Sequence, residues 1–330
     1  SMKRTGSRIL VVLLVVSLIA VGLTGCSQSK SPADQPPAAE KKFINIATGG
    51  TAGTYYPLGG AMAEILNQNI AGVNATAQST GASAANINML AEGSVDLALV
   101  QNDVAYYAMN GVELFKDKKV AGLQGIATLY PETCQIVTLT KSGIKSVADF
   151  KGKKVAVGAA GSGVEANARQ ILLAHGLTYD DINPQYLSFA EAANGLKDGN
   201  IDAAFVTAGH PTAAIQDLGA QHEITLIPIA DEIADKLIEQ YPYYTKVTIP
   251  ANTYPNQTVD TQTLAVQAML ITSDKLDEET VYQITKAIFS NLDKLASTHS
   301  VGKLISIESA GNGMSIPVHP GAAKFFNEKK

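Results

Sequence analysis

The sequence predicts an α/β protein folded as two lobes around a cleft. Three observations carry that expectation. From Phe43 onward, short β-rich runs alternate with helical patterns; the same order of strand and helix restarts near Lys154; and a late apolar strand and helix have no unit of their own, so they must pack back on the first.

In the first unit, residues 43–47, 73–78 and 95–100 read as strands, the last a continuous apolar run suited to a sheet covered on both faces. Residues 57–69 read as a helix with Leu58, Met62, Ile65 and Leu66 on one face and Pro57 in the first turn. Residues 83–92 form a second helix, closed by Gly93. Residues 125–129 and 135–140 add two strands, with Tyr130, Pro131 and Glu132 ending the first of them. In the second unit, residues 154–157, 185–187, 201–206 and 224–229 read as strands, 163–175 as a helix before Gly176, and Ser188 caps a helix running to Asp198. Gly93–Val100 echoes Gly199–Val206, with Gly, Asp, Ala and Val in register, and Asp96 and Asp202 read as turn caps. Residues 261–272 predict a long strand and 278–295 one amphipathic helix. Lobe 1 is therefore expected over 43–138 plus 255–330 and lobe 2 over 139–254. They would be joined by two crossing hinge segments near 134–140 and 249–270.

The N-terminus has the parts of an export signal. Lys3, Arg4 and Arg8 precede an apolar run over 9–23 that is too short to span a bilayer, and Leu23-Thr24-Gly25-Cys26 looks like a bacterial lipobox. Residues 1–25 are thus expected to be a lipoprotein signal peptide and Cys26 the lipid attachment. Residues 26–42, with three prolines, would form a flexible tether reaching roughly 20–24 Å. The body is expected on the extracytoplasmic face of a bacterial membrane, held there by lipid only. With Cys26 lipidated, Cys134 has no disulfide partner and reads as a buried structural thiol.

The chain has 25 basic and 30 acidic residues, a net −5; without Lys3, Arg4 and Arg8 the balance is 22 to 30, a net −8. No basic run is present, which argues against nucleic-acid binding. Beyond the signal the only arginine is Arg169, six residues into a helix and read as serving its surface. Any anion must therefore be held by other means. Three glycine- and hydroxyl-rich loops follow strands and open helices: residues 48–57, 79–83 and 158–163. Their backbone N–H groups, helix dipoles and hydroxyls make anion sites without arginine. The candidate ligand-binding residues are Gly50, Thr51, Thr54, Tyr55, Thr80, Gly81, Ser83, Gly161, Ser162, Gly163, Val164 and Thr207 on these loops and strand ends, with Gln101, Tyr130 and Glu132. Glu132 has two readings: a partner for the ammonium of an amino acid, or a surface ion pair with a lysine.

Taken in order, several segments resemble the TAXI family of solute-binding proteins from TRAP transporters. They are Gly50-Thr51-Ala52-Gly53-Thr54-Tyr55-Tyr56-Pro57-Leu58-Gly59-Gly60, Ser79-Thr80-Gly81-Ala82-Ser83, Asp96–Gln101, Leu129-Tyr130-Pro131-Glu132, Asp149–Val155, Gly161-Ser162-Gly163, Gly209-His210-Pro211 and His319-Pro320-Gly321-Ala322. Where many members carry Thr after Gly-Ser-Gly this chain has Val164, and His210 replaces a small residue. The resemblance implies a type II periplasmic-binding-protein fold, a TRAP-type membrane permease as partner, and a small organic anion or acidic amino acid (glutamate-like or dicarboxylate) as solute. The cleft itself, with half of its contacts on each lobe, is read as capturing solute by lobe closure, in a monomer with no catalytic residue, metal or cofactor. Two rivals share features with it. A sensor of the same fold would present its ligand to a membrane kinase. An NAD-dependent enzyme would use Gly161-Ser162-Gly163-Val164-Glu165-Ala166 as a dinucleotide fingerprint, but the acid expected at the end of the next strand is missing. The histidines His175, His210, His222, His299 and His319 have no metal-ligand spacing and read as solvated or capping residues.

Overall fold

The computed structural model describes residues 40–330. The expected signal peptide, Cys26 and all but the last residues of the expected tether lie outside the described residues. In chain order the strands are β1 Lys42–Ala47, β2 Val73–Gln78, β3 Leu97–Gln101, β4 Leu123–Leu139, β5 Lys154–Ala156, β6 Asn183–Gln185, β7 Ala203–Ala208, β8 Ile224–Leu226, β9 Thr245–Ile249 and β10 Thr261–Ser273. The helices are α1 Tyr55–Asn69, α2 Ser83–Glu92, α3 Asn102–Asn110, α4 Gly163–Ala174, α5 Phe189–Lys197, α6 Ala213–Gln221, α7 Asp231–Gln240, α8 Glu278–Phe289, α9 Leu292–Thr298 and α10 Pro320–Asn327.

All ten strands belong to one mixed sheet, ordered β2-β1-β3-β10-β4-β7-β5-β6, with β8 beside β4 and β9 beside β10. Neighbours within each lobe are parallel (β2, β1 and β3 in one, β6, β5 and β7 in the other), while β10 and β4 run antiparallel to them and to each other. β10 and β4 carry the sheet from one lobe to the other: β10 pairs with β3 through Ala268–Ile271, and β4 pairs with β7 through Thr133–Val137.

The core follows the alternation of each strand. Leu97 and Leu99 enter one hydrophobic cluster with Leu58, Met62, Leu270 and Ile288; Ala98 and Val100 enter another with Val104, Met269 and Ile271. In the second lobe Ala203 and Phe205 join Val155, Ile171 and Leu264, while Ala204 and Val206 join Ile215, Leu226 and Tyr254. Each half of the sheet is thus covered on both faces, as its continuous apolar strands require. Leu58, Met62, Ile65 and Leu66 of α1 are all buried, each worth about 1.5–3 kcal/mol in removal from water.

Three element expectations are corrected. β4 does not end at Tyr130; it runs through Pro131 as one strand of 17 residues. The proline is accommodated where the pairing with β10 shifts register, between Gln267 and Met269. The predicted helix over 278–295 is two helices, α8 and α9, broken at Ser290 and Asn291, whose side chain turns back to accept no cap but donates to Ala287 O at 2.8 Å. The strand expected over 185–187 is β6, shifted back to Asn183–Gln185.

Candidate functional site

The loops after β1, β2, β5 and β6 meet the ends of β3 and β7 and the middle of β4 around one cavity of about 60 Å³. Of the sequence-predicted residues, Gly50, Thr54, Tyr55, Thr80, Gly81, Ser83, Gln101, Glu132, Ser162, Val164 and Thr207 line it. The other four lie elsewhere. Thr51 is exposed; Tyr130 is buried and borders a separate cavity with Thr128, Pro131 and Tyr243; Gly161 and Gly163 make contacts between the lobes. Ser188 and Phe189, also on the wall, were not predicted: in the sequence they read only as the start of α5, where Ser188 and Glu191 form a capping box. Ala82 was missed too. It stands at φ 76 and ψ −143, a conformation that costs a non-glycine residue about 1–3 kcal/mol and is held by the packing around the cavity.

One carboxyl group, Glu132, lines the cavity and a second, Asp103, lies beside Gln101 away from it; both are buried. Tyr55 donates from its hydroxyl to Glu132 Oε2 at 2.7 Å. Among the described residues no lysine, arginine or histidine lines the cavity, so the surface-lysine reading of Glu132 falls away. Burial holds the Glu132 acid well above the usual carboxylate range; the Tyr55 bond lowers it and nearby Asp103 adds to the rise. Burial and the Glu132 charge likewise push the Tyr55 phenol up. Asp103 accepts from Gln101 Nε2 at 3.1 Å, Asn167 Nδ2 at 3.0 Å and Val104 N at 2.9 Å, and burial raises its pKa against the effect of those bonds. Cys134 is buried, with its thiol pushed up to about 12 by burial, which suits a packed and unreactive group.

The sole arginine of the body is not at the cavity. Arg169 binds Glu165, four residues back on α4, at 3.0 Å and reaches Glu113 at 3.6 Å, on a partly exposed helix surface. The donors left for an acidic group are therefore at the helix starts. At α2, Gly161 O accepts from Ala84 N and Ala85 N at 3.0 and 3.2 Å, and Ala82 O accepts from Asn86 N. The N–H of Ser83 makes no bond among the described residues and lies on the cavity wall. At α4, the Ser162 side chain caps the N–H of Glu165 at 3.3 Å. Histidines sit in caps and loops. His319 caps α10, His299 accepts from Val301 N, and His210 bonds Thr133 at 2.8 Å.

The lobes meet through their own hydrogen bonds. Besides Gly161 O on α2, Thr54 Oγ1 donates to Gly209 O at 3.2 Å and Ala214 N to Ala52 O at 3.3 Å. Gln101 packs directly on Gly163, where a Cβ would stand 2.4 Å from the Gln101 amide. Among the described residues no helix is long and apolar enough to cross a membrane.

A two-lobed α/β body whose lobes both wall one cavity defines a solute-binding protein of the periplasmic-binding-protein type. The chain belongs to the NMT1-like family, whose model matches residues 46–329. A curated protein of Escherichia coli (strain K12), provisionally named an aliphatic sulfonates-binding protein, is 34% identical over 97 residues; the match spans 29% of this chain and 30% of that relative's length. Among solved structures, the periplasmic aliphatic sulphonate binding protein SsuA from Escherichia coli aligns at a TM-score of 0.50 and 19% identity, over 88% of this chain and 84% of its own. A Listeria monocytogenes protein, provisionally named an L-cystine ABC transporter, aligns at 0.50 and 14% identity, over 82% and 98%. These findings correct the TAXI resemblance: the matching model is that of the NMT1-like family, and the relatives are a sulfonate-binding protein and an ABC transporter component. Glycine-rich loops that open helices at strand ends are demanded by solute binding on this fold in general, so they did not separate one transporter class from another.

Proposed function

We propose that the protein is the extracytoplasmic receptor of an ABC-type importer and takes a small zwitterion, a solute with a primary ammonium and a carboxylate or sulfonate. The observation that carries this reading is Glu132. It is a buried acid on the cavity wall, bonded by Tyr55 on one oxygen and facing no basic side chain. Burial disfavours the charged form of this acid unless it is paired, and an ammonium of the solute would supply the partner. Helix starts and the hydroxyls of Ser83 and Ser162 suit the acidic end. The sulfonate and cystine named for the relatives share this need for an anion site, and cystine also brings ammonium groups. A plain alkanesulfonate would set a permanent anion beside Glu132 with no cation to offset it. Export, lipid attachment at Cys26 and lobe closure around the solute complete the proposal.

The test is a thermal-shift panel on ligand-free protein, since binding to the folded state raises its stability by RT ln(1+[L]/Kd). Amino acids and taurine should raise Tm, whereas alkanesulfonates and dicarboxylates without an amine should not. Equal shifts with the amine-free compounds would mean that Glu132 acts as a neutral donor, and the zwitterion reading would be withdrawn.

A further inference from the structure

We infer that Asp103 is a positioning residue that sets the hydrogen-bond polarity of the cleft: through Gln101, Asn167 and Thr207 it turns acceptor atoms toward the cavity and so selects solutes that donate. The inference rests on the solute-binding reading above and concerns a residue that does not line the cavity.

The argument follows the protons. Gln101 lines the cavity, and its side-chain nitrogen has two hydrogens. One goes to Asp103 Oδ1 at 3.1 Å and the other to Asn167 Oδ1 at 3.0 Å. The remaining polar atom, Oε1, accepts no bond among the described residues. Flipping the Gln101 amide would set an oxygen against two oxygens. Asn167 is held just as firmly. Its nitrogen donates to Asp103 Oδ2 at 3.0 Å and to Tyr244 Oη at 2.8 Å, while its oxygen accepts from Gln101 and from Thr207 Oγ1 at 3.0 Å. All four of its hydrogen-bonding positions are filled. The Tyr244 hydroxyl then donates to Gln170 Oε1 at 2.5 Å, and Gln170 Nε2 donates to Tyr107 Oη at 3.1 Å. Every member of this buried chain is oriented by the one group that only accepts, Asp103, which is 1% exposed.

The consequence appears at the cavity. With its single hydroxyl hydrogen turned to Asn167, Thr207 keeps two lone pairs; one lies 3.7 Å from the Cys134 thiol and the other is left for the cavity. Gln101 offers Oε1 from the other lobe, and Glu132, once an ammonium draws off its proton, offers the oxygen that Tyr55 leaves open. Acceptors from both lobes thus converge where a group with several N–H bonds fits and a hydroxyl, with one, does not satisfy them. Leaving a buried acceptor unpaired discriminates strongly, because the desolvated group has lost water and gained nothing.

The experiment compares matched solutes that differ only in that group: taurine against isethionate, and glutamate against 2-hydroxyglutarate, each titrated calorimetrically into the wild type, Asp103→Asn and Thr207→Val. In Asp103→Asn the new amide can donate to Gln101, and both amides are then free to turn. The preference for the amine member is expected to fall at least tenfold. Thr207→Val, which removes one acceptor, should weaken the amine member by about tenfold and leave the hydroxyl member nearly unchanged; it carries the test if Asp103→Asn does not fold. A merely structural role would weaken both members of a pair alike, and an unchanged amine-to-hydroxyl ratio in the variants overturns the inference. Wild-type protein that binds neither member of either pair overturns the zwitterion reading itself and this inference with it.

Discussion

The two lobes share one joint and differ in chemistry. In lobe 1, Gly93 ends α2 at φ 77, and Asp96 ties back to the neighbouring strand: its N–H donates to Asn45 O at 2.9 Å and its carboxylate accepts from Asn45 N at 2.8 Å. In lobe 2, Gly199 stands at φ 73, Asp202 N donates to Lys154 O at 2.8 Å, and the Asp202 carboxylate accepts from Lys154 N at 2.9 Å. Glycine is needed at both positions because each lies in the left-handed region. The weak internal echo in the sequence is thus a shared way of clamping a strand to its neighbour. At the cleft the likeness stops. Lobe 1 brings Tyr55 and Gln101, and Glu132 stands on the crossing strand β4; lobe 2 brings Ser162, Val164, Ser188, Phe189 and Thr207, none of them ionisable at neutral pH. One lobe supplies the charge chemistry and the other supplies fit.

This contrast can be broken most severely at Glu132. Glu132→Gln should weaken an ammonium-bearing solute by about 10- to 150-fold, the worth of one charged hydrogen bond at 1.5–3 kcal/mol, as read by titration calorimetry. The fit of lobe 2 is tested next by Gly163→Ala. A Cβ at 2.4 Å from the Gln101 amide must push that amide off Asp103 and Asn167 while the lobes are together, so affinity should fall by about tenfold. The ligand-free melting temperature should scarcely move, and solution scattering should report a more open average in the presence of solute. Then comes a pH effect confined to lobe 1 and its crossing strand. Burial raises the Glu132 pKa, so above the unfolded value of about 4.3 the unfolded chain has released a proton that the folded one keeps. Its contribution to ligand-free stability therefore falls as pH rises from there through the folded pKa. A series of melting temperatures should show that slope reduced in Glu132→Gln, with the variant the more stable at neutral pH. The smallest effects should come from the shared joint. Asp96→Ala, whose bond is part-buried, should cost about 1–2 kcal/mol, and Asp202→Ala, whose bond is exposed, about 0.5–1 kcal/mol in urea unfolding.

What was legible in the sequence was whatever is local. Periodicity placed α1, α2, α4 and the buried strands, and glycine with hydroxyl loops after strands marked most of the cavity wall. The misses have a common cause. Pro131 looked like a strand end because its tolerance depends on a register shift against β10, 136 residues away at Gln267. Ser188 and Phe189 looked like an ordinary helix start, and only the approach of Gly53 to the Phe189 ring, 3.3 Å from where a Cβ would be, brings them to the cleft. Asn167 and Asp103 carry no pattern at all; their roles exist only once α3 and α4 are packed together. The transporter class was misread for a related reason, since the loops that suggested it answer to the fold.

Gly161 O, bonded to the first turn of α2, is a contact between the lobes that needs no solute. When the lobes part, Ala84 N and Ala85 N return to water; when they meet, a carbonyl of the opposite lobe takes the place an anion would have. On the proposed mechanism of lobe closure, the receptor would thus carry part of its own closing free energy, on the order of 0.5–1.5 kcal/mol per such bond. A solute then has less work to do in shifting the population, and for the same reason loaded and empty molecules differ less in how often they are shut. Sensitivity gained at that carbonyl is contrast lost between the two states.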